Sequence, residues 1–154
     1  MVYTPLVRKA MCLAYEAHHG QLDKSGVPYL YHPIHLAEQM TTEAAVVTAL
    51  LHDVLEDTAL TLEQLESEGM PADILEALTV LTRQPDEEYE TYIRRVCGNP
   101  LAKVVKRADL LHNSDETRQP CCSPQWAAVH RERSRRALEI LTETPESSGA
   151  MEEL

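Results

Sequence analysis

The stretch Ala49–Thr58, ALLHDVLEDT, decides how this chain is read, because His52 and Asp53 stand side by side inside an otherwise apolar run. Placing His52, Asp53, Glu56 and Asp57 there is costly unless a metal or fixed partners satisfy them. On a helix these four span one arc of roughly 140°, while Val47, Leu50, Leu51, Val54 and Leu55 fill the opposite side. The spacing predicts a helix from about Thr42 to Glu56, with one face in a core and the other on a polar cavity.

Outward from this segment, helix signals dominate and strand signals are nearly missing. Thr4-Pro5 pairs an N-cap with proline at the first helical position, and Gly20 closes the helix that follows. Residues 21–31, QLDKSGVPYLY, read as a loop broken by Gly26 and Pro28. A short helix is expected from His32 to Met40. Thr61 with Gln64 forms a capping box for another that ends at Gly69. Pro71 opens a helix with Ile74, Leu75, Leu78 and Leu81 on one face, and Asp86 can cap one that runs to Cys97. Asn99-Pro100 starts a helix reaching about Glu116, and Ser123-Pro124 starts the last, to about Thr142. The fold class expected is all-α, a helical globule of about seven or eight helices. Residues 1–142 form one domain, and residues 143–154 form an acidic tail that should fray.

Composition narrows the function classes. The net charge is −11, from 25 acidic and 14 basic residues, and no Lys/Arg cluster is long enough to grip a nucleic-acid backbone. An anionic substrate would be repelled unless a metal or local basic groups reverse the field at the site. Cys12, Cys97, Cys121 and Cys122 form no CxxC pair and fit neither a zinc knuckle nor a secreted disulfide framework, so free thiols are expected. With no signal peptide and no apolar run near membrane-spanning length, the expectation is a soluble, cytoplasmic protein.

Two further groups stand in ligand-like surroundings. His32 lies at a loop-to-helix entry in PYLYHPIH, and Asp109 lies among apolar neighbours in AKVVKRADLLHN. With His52 and Asp53 they make two imidazoles and two carboxylates, a set suited to Mn, Fe, Co, Ni or Zn. Such an ion can acidify water and polarise a phosphoryl group. Glu56 and Asp57, four residues after His52 and Asp53, could orient that water and carry its proton. Asn113, four residues after Asp109, could bond a substrate or a ligand carboxylate. Lys24, Ser25 and the Gly26 loop could contact phosphate.

An HD pair preceded by a separate His and followed some fifty residues later by a helical Asp resembles the signature H…HD…D of the HD-domain metal phosphohydrolases. Within them, HHGQLDKSGVPYLYHPIHLA (18–37), ALLHDVLEDT (49–58) and KRADLLHN (106–113) look like the alarmone hydrolase domain of the RelA/SpoT type. They are most similar to its small stand-alone relatives. The resemblance covers most of residues 5–142 and implies an all-helical HD fold. It further implies removal of the 3′-pyrophosphate from guanosine 3′,5′-bis(diphosphate), usually with manganese. Carried over residue by residue, it implies metal ligands at His32, His52, Asp53 and Asp109, and water activation by Glu56 and Asp57. It also implies nucleotide contacts from Lys24, Ser25 and Asn113.

The chain departs from that pattern in two places. Asp23 stands where the family usually has Arg, and Ser114-Asp115-Glu116 follows the HN pair where the long enzymes typically read MRT. These departures keep open another phosphorylated nucleotide as substrate, including the 2′-phosphate of NADPH, or a catalytically silent nucleotide sensor. For the remaining polar and aromatic residues the bland readings are preferred. His35 is taken as structural, His112 as packing, and His18 and His19 as helix-end groups. Arg131, Arg133, Arg135 and Arg136 are assigned to a solvated face, and Trp126, Tyr89 and Tyr92 to packing.

Overall fold

The computed structural model describes residues 1–118 and 123–143. Among these residues the chain forms nine α-helices and one 3₁₀ turn, with no strand beyond an isolated antiparallel bridge between Leu22 and Pro28. The helices are α1 (Pro5–Ala17), α2 (Tyr31–Glu38), α3 (Glu43–Leu51), α4 (Val54–Asp57) and α5 (Leu62–Ser67). They continue with α6 (Ala72–Leu81), α7 (Tyr89–Cys97), α8 (Pro100–Asn113) and α9 (Pro124–Glu143), and the 3₁₀ turn covers Glu116–Arg118. The expected all-helical class holds. The adjacent Cys121 and Cys122 and the tail beyond Glu143 lie outside the described residues; Cys12 and Cys97 are free thiols.

Local capping sets most boundaries where the sequence places them. The Thr4 and Thr42 side chains accept from the backbone N–H groups of Val7 and Ala45, and Asn99 accepts from Ala102, so each satisfies an orphan donor of a first turn. The Thr61–Gln64 capping box is present on both sides. Asp86 does not cap α7; that helix starts after Glu88, which makes no side-chain cap. The expected helix to Glu116 stops at Asn113, and a 3₁₀ turn replaces its last turn.

α3 is the axis of the fold. Every residue from Ala45 to Leu51 is buried, and α1, α2, α6 and α8 pack around it. The segment therefore has no polar face until its end, unlike the amphipathic helix expected from Thr42 to Glu56. The helix breaks at His52-Asp53 instead. The His52 Nδ1 lies 2.7 Å from the Ala49 carbonyl, the acceptor that the Asp53 N–H would take in a continuing α-helix. α4 carries Glu56 and Asp57 onward as a separate turn.

The core contains no phenylalanine; Leu36, Leu50, Leu51, Leu65, Ile74, Leu78, Ile93 and Ile140 are its largest fully buried side chains among the described residues. Leu78 of α6 belongs to this cluster and is completely inaccessible, so truncation leaves a cavity rather than exposed surface. Leu78→Ala is expected to destabilise the protein by about 2–5 kcal/mol. Urea denaturation checks this through a lowered midpoint with an unchanged slope.

Candidate metal and phosphate site

Four side chains from three elements meet where α2, the α3–α4 break and α8 converge. His32 Nε2 lies 2.9 Å from Asp109 Oδ1, and His52 Nε2 lies 2.9 Å from Asp53 Oδ2. The cross distances are 3.7 Å from His52 Nε2 to Asp109 Oδ1 and 4.0 Å from His32 Nε2 to Asp53 Oδ2. His32, His52 and Asp109 are buried, and one ligand atom from each falls within 4.8 Å of the others.

Each ligand is aimed by a neighbour. His52 is turned by the Ala49 carbonyl at its Nδ1, which leaves Nε2 facing the carboxylates. His32 Nδ1 lies 2.7 Å from His112 Nδ1, and the two rings stack in parallel with centroids 5.0 Å apart. Burial, with Arg118, His32 and His35 adding to it, lowers His112 to about 4. His112 is therefore neutral at ordinary pH, and its contact with His32 Nδ1 turns the His32 Nε2 edge toward Asp109. His35 stacks on the far face of His112 at 4.0 Å. Asp109 Oδ2 pairs with Lys106 Nζ at 2.9 Å, one turn back on α8, while Asn113 Nδ2, one turn on, donates to Oδ1 at 2.8 Å. The Tyr29 hydroxyl donates to Asp53 Oδ2.

The electrostatics ask for a cation. Burial alone would lower the His52 imidazole, but Asp53 and Asp109 more than offset it and hold it well above its ordinary value. Burial would raise Asp109, yet Lys106, His32 and His52 hold it well below the usual carboxylate range; His52 similarly lowers Asp53 against its own burial. Although Asp53 Oδ2 is 2.9 Å away, His52 Nε2 is a buried polar atom with no aligned hydrogen bond. Two buried carboxylates facing a buried imidazole favour positive charge between them. The donor set fits a divalent ion: two imidazole nitrogens and two carboxylates, each oriented from behind.

A cavity of about 510 Å³ adjoins this cluster through Tyr29, Lys106 and Asn113, which line it and bond Asp53 or Asp109. Glu56 and Asp57 line it, as expected. Burial raises both carboxyl groups; for Glu56 the Arg83 backbone N–H, 2.5 Å from Oε1, works against it, and for Asp57 the nearby Asp53 adds to it. Lys24 also lines it, with its ammonium 3.7 Å above the centre of the Trp126 ring. Asn113 reaches both the cavity and Asp109. Ser25 does not line this cavity: its hydroxyl donates to the Arg118 carbonyl, so its oxygen serves the loop.

Some wall residues went unassigned or were assigned elsewhere. Arg83, Lys106, Arg118 and Arg133 all line the cavity and give it a basic rim. Arg131, Arg135 and Arg136 do form the solvated ion pairs expected of the basic run, with Glu116, Glu132, Glu139 and Glu90. Arg133 differs; it turns in over the Tyr89 ring, 4.4 Å from its centre. Trp126 is half-exposed at the cavity wall, where it packs on His130 and Lys24, and Tyr92 is buried as expected. His18 is the C-cap of α1, as expected of a helix-end residue, and its ring is buried beside Tyr29 with Nδ1 2.7 Å from Gln21 Oε1. Lys106 carried a readable signal, its position one turn before Asp109. Arg118 and Arg133 carried none, since only the docking of α9 and the 3₁₀ turn brings them in.

A divalent ion bound by these imidazoles must compete with protons for the ring nitrogens, and Asp53 and Asp109 favour the protonated His52 ring. Manganese binding is therefore expected to release protons, with apparent affinity falling as pH is lowered. Calorimetric titration in two buffers of different ionisation heat measures the number released, and a value of zero would contradict this arrangement.

No family model matches the chain. Its sequence is 34% identical over 122 residues to a probable guanosine-3′,5′-bis(diphosphate) 3′-pyrophosphohydrolase of Synechocystis, covering 70% of this chain and 16% of that protein. It is also 34% identical over 125 residues to a GTP pyrophosphokinase of Myxococcus xanthus, again covering 70% of this chain and 16% of the relative. The chain thus spans about a sixth of the length of the curated relatives it matches. In fold it is similar to a solved metazoan SpoT orthologue described as hydrolysing ppGpp, with a TM-score of 0.79 and 22% identity, covering 94% of this chain and 89% of the other. Over 70% of its length the chain is thus similar to one segment of guanosine-bis(diphosphate) pyrophosphohydrolase and GTP pyrophosphokinase proteins, and it has the HD-type helical fold.

Proposed function

We propose that this chain is a manganese-dependent phosphohydrolase that removes the 3′-pyrophosphate from guanosine 3′,5′-bis(diphosphate), acting in the cytoplasm as one catalytic domain over residues 1–142. One observation carries the reading: two imidazoles and two carboxylates converge next to a cavity that shares Tyr29, Lys106 and Asn113 with them and is also lined by Lys24, Arg83, Arg118 and Arg133. A net charge of −11 would otherwise keep a polyanion away, so a local reversal of the field at this cavity has a purpose. The name of the Synechocystis relative, a 3′-pyrophosphohydrolase, supports the same reaction class.

In this reading His32, His52, Asp53 and Asp109 hold the divalent ion, which when bound supplies a Lewis acid that acidifies water and polarises a phosphoryl oxygen. The chain's own groups supply the rest. Glu56 and Asp57, on the turn after the HD pair, accept the proton of the attacking water; their raised pKa values bring them nearer the range useful to a general base. Asn113 and Lys106 fix the orientation of Asp109, and Tyr29 fixes Asp53. Lys24, Arg83 and Arg133 face the phosphates as charge-assisted donors. Ser25 acts through the loop it closes rather than by touching substrate.

Purified protein with manganese and guanosine tetraphosphate is expected to yield GDP and pyrophosphate, and a chelator should stop the reaction. Faster hydrolysis of NADPH at its 2′-phosphate would reassign the substrate, an outcome that Asp23 makes worth measuring. No manganese-dependent release of phosphate or pyrophosphate from any nucleotide in a panel would leave a silent sensor.

Asp53→Ala should lose both activity and bound metal. Glu56→Gln should keep the metal while kcat falls by about 10²–10⁴-fold. Undiminished turnover by the Glu56 variant would remove its assigned role.

A further inference from the structure

Position 23 carries an acid at the edge of a cavity suited to anions, and the geometry around it shows what it does. Asp23 Oδ1 accepts the backbone N–H groups of Ser25 at 2.8 Å and Val27 at 3.0 Å, which folds the chain around Gly26 at its positive φ of 81°. The other oxygen, Oδ2, lies 3.9 Å from Arg118 Nη2. Residue 118 is clasped a second time, because the Ser25 hydroxyl donates to its carbonyl. On the α8 side, Arg118 Nη1 donates to the His112 carbonyl at 2.9 Å and reaches Asn113 Oδ1 at 3.4 Å. The guanidinium is thus pinned between the loop and the end of α8, on the cavity wall beside Lys24 and Asn113.

Donors remain on that guanidinium. It has five N–H groups, and among the described contacts Nη2 has only the ion pair with Asp23, too long for a hydrogen bond. Three other basic wall residues carry structural duties of their own. Lys106 holds Asp109, Arg83 bonds the Glu87 carbonyl through Nε and Nη2, and Lys24 lies on Trp126.

From this arrangement we infer that Arg118 is a substrate-binding residue that grips a diphosphate group in the cavity, with Asp23 as its positioning residue. Asp23 does not face the substrate as an uncompensated charge; it builds the loop with one oxygen and steers Arg118 with the other. The inference rests on the phosphohydrolase reading for the identity of the anion, and it deepens that reading by naming a cation delivered from the turn after α8.

Two readouts separate the inference from the reading beneath it. Arg118→Ala is expected to raise the KM for guanosine tetraphosphate about 10–100-fold, the loss of a charge-assisted hydrogen bond, with kcat changed less than about 3-fold and manganese affinity unchanged. In Asp23→Arg/Arg118→Ala, a guanidinium returned from the loop should recover most of the lost KM. By calorimetry, inorganic pyrophosphate should bind manganese-loaded wild-type protein about 10-fold or more tightly than it binds Arg118→Ala. If wild-type protein turns over no nucleotide while pyrophosphate affinity still depends on Arg118, the inference stands and the hydrolase reading falls. Unchanged KM and pyrophosphate affinity in Arg118→Ala would overturn the inference, and absence of rescue by the Asp23→Arg double variant would overturn the pairing. Should Arg118→Ala fail to fold, Arg118→Gln, which keeps donors but no charge, decides on the same two readouts.

Discussion

Two carboxylates and two imidazole nitrogens are held within a few ångströms of one another in a buried pocket, and much of the surrounding structure is arranged to keep them there. Charge of this kind is expensive to remove from water and is tolerated only when every member has a partner. Asp109 has Lys106 and Asn113 on its own helix, Asp53 has the Tyr29 hydroxyl, and both face imidazoles. The remaining deficit is at His52 Nε2, buried and without an aligned hydrogen bond. A divalent ion at that point would satisfy all four groups together, which makes the site a property of the fold's electrostatics as well as of its sequence.

The fold follows from the same constraint. α3 is buried on all sides from Ala45 to Leu51, so it can serve as the fixed post against which α1, α2, α6 and α8 pack. A ligand pair cannot sit in the middle of such a helix. It sits at the end, where the His52 side chain takes the Ala49 carbonyl and the helix stops. The break lets the adjacent His52 and Asp53 side chains face one another, and the next turn carries Glu56 and Asp57 to the cavity wall. Rigidity at α3 and a break directly after it are the two halves of one device.

The outer parts of the site obey a looser logic. The basic rim is assembled from Lys24 on the loop, Arg83 after α6, Lys106 on α8, Arg118 in the 3₁₀ turn and Arg133 on α9. The net charge is strongly negative, so this local reversal depends on where the few cations are placed. Aromatic rings help to hold them: Trp126 beneath Lys24, and Tyr89 between Arg83 and Arg133. Such placements tolerate exchange of one element for another, as the Asp23–Arg118 pair illustrates, because an anion responds to the position of a charge and not to the helix that delivers it.

Much of this was legible in the sequence. The helical class, the caps at Thr4, Thr42, Thr61 and Asn99, and the pairing of an isolated His with an HD dipeptide and a distant helical Asp are local patterns, each with its own chemistry. His32, His52, Asp53 and Asp109 could be singled out because polar groups inside apolar runs advertise a cost that must be met. Only the tertiary structure decided that the HD helix breaks, that Ser25 turns to a backbone carbonyl, that Trp126 packs at the cavity wall, and that Arg118 and Arg133 face inward. The reason is physical: caps and burial patterns act within a few residues of chain, whereas the direction of a long, flexible cation is set by whichever acid, ring or carbonyl another segment brings beside it.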